Sequence, residues 1–335
     1  MTFKEKVQRF LKELQDGGTA RPLGDVRQRE PMSRHTTMKA GGEADLLVVP
    51  GDVEELRRTV LAAHRAGLPL IVLGGSNVIV QDGGITGVVV KLSRLNRIRL
   101  IGPDRIEAEA GVLLPRLARA AARAGLSGLE FAIGIPGTVG GSIVMNAGTR
   151  EGELAPRIDS VTLMRPDGEV VTLQRNTLRF RYRHAELPQG CVVSARFALE
   201  LAPAVEIEAT MTRMLGARTA TQPLHSPSAG CVFKNPPGDS AGRLIEAAGL
   251  KGYRIGDAQV SERHANFIIN RGHARTNDIL SLIRHVGREV ARQFGVTLEL
   301  EVKIVGRAAR PKGAPRPSRL RVRPHASSTH ATGSS

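Results

Sequence analysis

The chain has 335 residues, enough for two domains, and 41% of them are hydrophobic, so it can bury real cores. Aromatic residues make up only 3%, with no Trp, which removes the stacking platforms that single-strand nucleic-acid binders use. The formal charge of +16 is partly a terminal effect: residues 307–335 hold seven Lys/Arg (Arg307, Arg310, Lys312, Arg316, Arg319, Arg321, Arg323) and no acid, leaving +9 for the body.

That tail decays into Ser, Thr, His and Gly and reads as disordered, either solubilising or able to touch anionic lipid or nucleic acid. Elsewhere a nucleic-acid partner is not expected. Cys191 and Cys231 are the two cysteines, with no metal-ligand spacing and no disulfide framework. No apolar run approaches the length of a membrane span, and the N-terminus lacks the pattern of a signal peptide. A reducing cytoplasmic compartment is expected.

In chain order, Phe3, Val7, Phe10, Leu11 and Leu14 fall at helical spacing and predict an amphipathic first helix, followed by a polar link over 16–34. Residues 44–49 read as a strand ended by Pro50, and Asp52 caps a helix over 53–66. Residues 68–73 form a short apolar run, a buried strand ending in Gly74-Gly75-Ser76-Asn77. Strands follow at 88–92 and 105–110, then an Ala/Arg helix over 114–124 and a long glycine-rich loop over 134–148. Residues 160–165 and 169–174 flank Pro166-Asp167-Gly168, a hairpin signal, and 191–201 is a strong strand. A helix over 205–218 bridges to a second region: loop 219–235, helix 240–248, strand 265–270, long helix 276–294 and strand 297–305. The mixture predicts an α+β fold.

The two glycine loops carry the first functional signal. Glycines at 74 and 75 let successive backbone N–H groups turn into one concavity, an anion nest, with Ser76 and Asn77 beside it. The second loop, Gly134-Ile135-Pro136-Gly137-Thr138-Val139-Gly140-Gly141 running on to Asn146-Ala147-Gly148, is a poor structural choice unless a ligand approaches its backbone. Neither loop fits the Rossmann fingerprint or the P-loop. They predict a phosphate-bearing cofactor of another kind, and the loops alone go no further.

Taken in order, the segments resemble the UDP-N-acetylenolpyruvoylglucosamine reductases. The resemblance rests on His35-Thr36-Thr37, on Ala40-Gly41-Gly42-Glu43-Ala44-Asp45, on both glycine loops and on Phe180-Arg181-Tyr182-Arg183. Further matches are Pro227-Ser228-Ala229-Gly230-Cys231-Val232-Phe233-Lys234-Asn235-Pro236, then Ala248-Gly249-Leu250-Lys251-Gly252, His264-Ala265-Asn266-Phe267 and Leu300-Glu301-Val302. It spans about residues 30–306. It implies an FAD-binding domain of the vanillyl-alcohol-oxidase (PCMH) type over 30–200 and a smaller α+β substrate domain over 201–306, between an N-terminal helix and link (1–29) and the tail (307–335). It also implies FAD held non-covalently by Gly74, Gly75, Ser76, Asn77, Gly134, Pro136, Gly137, Thr138, Gly140, Gly141, Asn146, Ala147 and Gly148. NADPH is the expected co-substrate, the other substrate a UDP-sugar, and no metal is required. With Tyr182 and Tyr253 as the only tyrosines, the chain resembles the form without a tyrosine clamp over the substrate.

The chemistry so implied is hydride transfer to an enolpyruvyl C=C, build-up of charge on the substrate carboxylate, and protonation of the adjacent carbon. Arg183 matches the catalytic arginine; from spacing alone it is a surface residue beside Arg179 and Arg181. Glu301, otherwise one of two carboxylates on the outer face of a strand, is implied to assist protonation or hold the intermediate. Cys231 occupies the proton-donor position, where most members carry serine; the plainer alternative is a buried free cysteine. Gln222, Lys234 and Asn235 are the expected substrate contacts. Two other readings remain: an FAD-dependent hydroxy-acid oxidase or dehydrogenase of the same superfamily, which would need a different C-terminal domain, and a basic nucleic-acid-binding protein.

Overall fold

A computed structural model describes residues 1–16 and 25–309. The apolar runs ending the 43–49 and 85–90 segments build the first sheet. Strands Asp25–Pro31, Glu43–Val49, Ile85–Val90 and Leu70–Val72 lie in that order, the first pair antiparallel and the rest parallel. Leu46, Leu47, Val48, Val88, Val89 and Val90 are all fully buried, as expected of parallel strands covered on both faces. Helix Val53–Ala66 packs on this sheet; Asp52 accepts from Glu55 N–H at its start, and Gly67 closes it in the left-handed conformation.

A second, antiparallel sheet runs Val170–Gln174, Ile158–Met164, Cys191–Ala198, Arg105–Glu109, Ile98–Leu100. The expected hairpin is its edge, with Gly168 at φ +84 in the turn. One large core joins the two sheets with helices Phe3–Asp16, Val53–Ala66 and Leu114–Arg123. Helix Ala204–Thr221 leads to a third sheet, Ser228–Cys231, Phe267–Asn270, Ala258–Val260, Arg254–Ile255, backed by helix Thr276–Phe294 and a second core.

Several expectations change. The polar link contains strand Asp25–Pro31, built mainly of charged and polar residues with only Glu30 buried, so no apolar alternation announced it. The second glycine loop contains a short helix, Val139–Val144, capped by Thr138, whose Oγ1 accepts from Gly141 N–H at 3.4 Å. Loop 219–235 contains strand Ser228–Cys231, and two more short strands precede Phe267–Asn270. Of the strand expected over 297–305, Lys303–Val305 forms, and it pairs in parallel with Val78–Val80 of the first region. The tail begins later than 307: Arg307 N–H donates to the Gly84 carbonyl at 2.8 Å, and its guanidinium stands 3.6 Å from Asp45. The disorder expected of the rest of the tail, and the middle of the polar link, fall on residues 310–335 and 17–24, outside the described residues. Among the described residues no helix is long and apolar enough to cross a membrane.

The two regions are sewn together by polar contacts. Asp82 accepts from Thr276 N–H and Asn277 N–H, both at 3.0 Å, so the long helix of the second region is capped by a carboxylate of the first. Asn270 Nδ2 donates to the Met38 carbonyl, and Thr276 Oγ1 to that of Val80. Asp82→Ala is expected to lower stability by about 1–2 kcal/mol, the upper range for a lost cap, and to broaden the denaturation transition as the second region loosens first. A urea melt superimposable on the parent's would show that the carboxylate does not hold the regions together.

Candidate active site

A single cleft of about 2380 Å³ passes both glycine loops and reaches Arg183, Cys231 and Glu301. That exceeds what one drug-sized ligand fills. At one end, the N–H groups of Gly74, Gly75, Ser76 and Asn77 donate to no protein acceptor among the described residues. Gly75 has φ +83, and a Cβ there would meet the His35 carbonyl at 2.4 Å, so both conformation and space demand glycine. Gly74 and Gly141 differ. A Cβ on either would meet only ordinary contacts, the nearest at 3.7 and 3.5 Å. Packing does not require glycine there, but a ligand lying along both backbones would. Four free donors beside two bare Cα atoms fit the diphosphate of a dinucleotide.

The other proposed cofactor residues divide. Pro136, Gly137, Thr138, Gly140, Gly141, Ala147 and Gly148 line the cleft. Gly140 owes its identity to packing as well, since its Cβ would meet that of Ala110 at 2.9 Å. Gly134 does not line the cleft; it leaves room for Arg218, whose Cδ would stand 2.9 Å from a Cβ there. Asn146 is buried away from the cleft. Its side chain bonds Glu153, the Arg181 carbonyl and Ala155 N–H, latching the loop to the Arg183 hairpin.

In that hairpin Arg181 pairs with His184, leaving Tyr182 and Arg183 as the turn. Arg183 takes φ +57, a conformation costing a non-glycine residue about 1 kcal/mol. Such local strain is commonly kept where it aims a functional side chain. The guanidinium lies 5.1 Å from the centre of the Tyr182 ring, and Nε is 3.1 Å from Glu301 Oε1. Nε is buried and forms a hydrogen bond to no acceptor among the described residues, so the pair is held as an ionic contact.

Glu301 and Cys231 are brought together by their backbones. Glu301 N–H donates to the Val232 carbonyl at 2.8 Å, and Phe233 bridges Leu300. From the other side, Asn77 Nδ2 donates to the Glu301 carbonyl at 3.1 Å, and Lys303 N–H donates to that of Asn77 at 3.0 Å. Thr37 Oγ1 donates to the Ser228 carbonyl at 2.6 Å while its N–H donates to that of Gly75. Burial raises the Glu301 carboxyl above the usual range, against the pull of Arg183. Burial pushes the Cys231 thiol up to about 12; Glu301 adds to this, and Arg183 and Arg218 oppose it. The thiol therefore keeps its proton throughout the neutral range.

Nothing in the sequence marked Arg218, except its place four residues before Gln222. Its Nη2 donates to Gln222 Oε1 at 3.0 Å, its buried Nε has no acceptor, and burial holds it below the ordinary arginine range. Gln222 thus orients Arg218 at the cleft wall. Asn235 lines the cleft and accepts from Ala241 N–H. Lys234 does not line it; its ammonium is 2.7 Å from Glu299 Oε1.

Two family patterns match this chain: an FAD binding domain over residues 44–174, and the UDP-N-acetylenolpyruvoylglucosamine reductase C-terminal domain over residues 222–305. Similar proteins include UDP-N-acetylenolpyruvoylglucosamine reductase 2 of Symbiobacterium thermophilum, 47% identical over 85% of this chain and 94% of that protein. The reductase of Moorella thermoacetica is 49% identical over 84% and 93%. Among solved structures, UDP-N-acetylenolpyruvylglucosamine reductase from Thermus caldophilus superposes with a TM-score of 0.72 at 41% identity, covering 84% of this chain and 98% of its own. With both regions of the cleft matched and nearly half the residues shared along most of its length, the chain belongs to the UDP-N-acetylenolpyruvoylglucosamine reductase family.

Proposed function

We propose that this chain is an FAD-dependent reductase that uses NADPH to convert the enolpyruvyl group of UDP-N-acetylenolpyruvoylglucosamine to the lactyl ether of UDP-N-acetylmuramate, in cytoplasmic peptidoglycan precursor synthesis. The observation that carries the reading is one cleft joining a free backbone donor nest to an Arg–Glu–thiol cluster. When bound, FAD supplies the redox chemistry, taking a hydride from NADPH and delivering it to the substrate's C=C.

The chain's own groups handle charge and proton. Arg183 is a permanent cation lining the cleft, its planar guanidinium suited to the carboxylate on which charge builds. Glu301, contacting that guanidinium, orients it and balances its charge before substrate enters. Cys231 Sγ gives its proton to the carbon next to the carboxylate. The thiolate left behind is stabilised by Arg183 and Arg218, the two cations that oppose the upward push of burial on the thiol. Asn235 and the Arg218–Gln222 pair supply polar contacts to the sugar nucleotide. NADPH oxidation that depends on the enolpyruvyl sugar nucleotide tests the whole reading; a yellow protein that oxidises NADPH without regard to it would refute it.

Only the second half of the cycle needs the proton. In Cys231→Ala, NADPH should bleach the flavin at the parental rate, while reoxidation by substrate slows about 10²–10⁴-fold, the usual loss of a general acid. Cys231→Ser should retain much of the activity. Parental reoxidation in the alanine variant would reduce the thiol to packing.

Thiol alkylation offers a separate check. Iodoacetamide reacts with thiolate, so labelling of Cys231 should be negligible near pH 7.5 and climb steeply only as pH approaches about 12. Rapid labelling at neutral pH would contradict a protonated donor.

The glycines can be told apart. Gly141→Val should give a folded, colourless protein, because the side chain projects into the cleft. Gly140→Val should lower the melting temperature through its clash with Ala110. Flavin retained by Gly141→Val, or a parent flavin that stays with precipitated protein after denaturation, would contradict non-covalent seating along this loop.

A further inference from the structure

Lys91 also lines the cleft, with no part in the chemistry above. It lies just past strand Ile85–Val90, beside the point where Leu70–Val72 runs into the glycine nest; Leu73 N–H donates to the Val90 carbonyl at 2.9 Å. This is the carboxyl end of the parallel strands, where open sheets of this kind place their ligands. Lys91 Nζ is 3.3 Å from His35 Nδ1, and His35 Nε2 is 2.9 Å from Glu30 Oε1. An ammonium can only donate, so Nδ1 accepts, and Nε2 carries the ring proton and donates it to the carboxylate. The side chains of His35 and Glu30 are each 9% exposed, so a buried relay rather than solvent fixes where the ammonium sits.

The relay touches the nest directly, since the His35 carbonyl is the atom that forbids a Cβ on Gly75. Glu30 is engaged by His35 and Arg27, and among the described residues no carboxylate pairs with Lys91. Burial, then the like charges of Lys39 and Arg27, hold Lys91 below the ordinary lysine range. It is a cation short of an anion, beside four backbone donors short of an acceptor.

We propose that Lys91 is the charged member of the glycine nest, its ammonium binding the diphosphate of the dinucleotide cofactor, with His35 and Glu30 as positioning residues. The assignment rests on the FAD reading above. It concerns the cofactor's diphosphate rather than those of NADPH or the sugar nucleotide, because Lys91 is held by His35, whose carbonyl abuts Gly75, and not by the Cys231–Glu301 end.

The test is equilibrium titration of apoprotein, followed by flavin fluorescence. In Lys91→Met the Kd for FAD should rise about tenfold or more, as expected for losing one charged contact, with a weaker dependence on salt. Binding of riboflavin, which lacks the diphosphate, should be unchanged, and Lys91→Arg should recover most of the loss. His35→Leu should weaken FAD less than Lys91→Met, and His35→Gln, able to accept and donate, less again. After saturation with FAD, the KM values for NADPH and sugar nucleotide should match the parent's. Parental FAD affinity in Lys91→Met, equal loss of riboflavin and FAD, or a raised KM for either substrate at full FAD occupancy would each overturn the assignment. A parent apoprotein that takes up no FAD would instead overturn the functional reading, and this assignment with it.

Discussion

The site depends on one stretch of backbone, residues 299–303, threaded between two parts of the molecule. On one side, Lys234 N–H and the Val232 carbonyl bond to Glu299 and Glu301; on the other, Asn77 grips the Glu301 carbonyl and Lys303 N–H. A polar group in such a place must be paired or lose the free energy of a hydrogen bond. The segment therefore cannot slide without breaking both sets. Asn77 belongs to the cofactor nest and Val232 follows the thiol, so the nest, Glu301 and Cys231 share a single hydrogen-bonded frame. Thr37, bonded to both Gly75 and Ser228, closes that frame at the opposite edge. Reacting partners held this way lose little freedom on meeting, which is a large part of what an enzyme supplies.

Within the frame, burial and charge act in opposite directions on the same groups. Desolvation favours neutral forms, raising both the Cys231 thiol and the Glu301 carboxyl and lowering Arg218. Two arginines face one carboxylate and one thiol, so the cluster carries excess positive charge, and an incoming carboxylate would bring it nearer to balance. The same excess would stabilise the thiolate left by the proposed proton transfer. On that reading the groups are set for the charges that appear during reaction rather than those present before it.

Much of this was legible from local chemistry. Asp52 and Gly67 bracket their helix as cap rules require, Pro166-Asp167-Gly168 forms its turn, and the 276–294 periodicity yields a helix with a buried face. Elements defined by distant partners were not legible. Asp25–Pro31 has a charged, only partly buried sequence and is a strand only because Glu43–Val49 offers it an edge. Asp82 caps a helix that begins 194 positions later. At the site, motif resemblance pointed to Arg183, Cys231 and Glu301, which the fold brings to one cleft; the roles proposed for them rest on short local patterns. It did not reach Arg218, which looks like any helical arginine until Gly134 is seen making room for it. It assigned Asn146 to the cofactor because that residue sits in a glycine-rich run, whereas its side chain holds the loop to the catalytic hairpin.

A thiol at the proposed donor position raises the question of why its greater acidity would do no harm. An exposed cysteine, with a reference value of about 8.5, would be partly thiolate at mildly alkaline pH, unable to donate and open to oxidation. The location removes both liabilities. Cys231, half-buried at the cleft wall beside its strand partner Phe267, is desolvated by the surrounding protein, and the nearby Glu301 carboxylate adds repulsion against a second negative charge. The resulting value of about 12 moves the thiol toward the behaviour of a hydroxyl, protonated at every physiological pH. What it retains is a lower cost of ionisation once Arg183 and Arg218 have an anion to hold. A change that admitted more water to Cys231 would bring its thiol back toward the reference range and so toward ionisation at neutral pH.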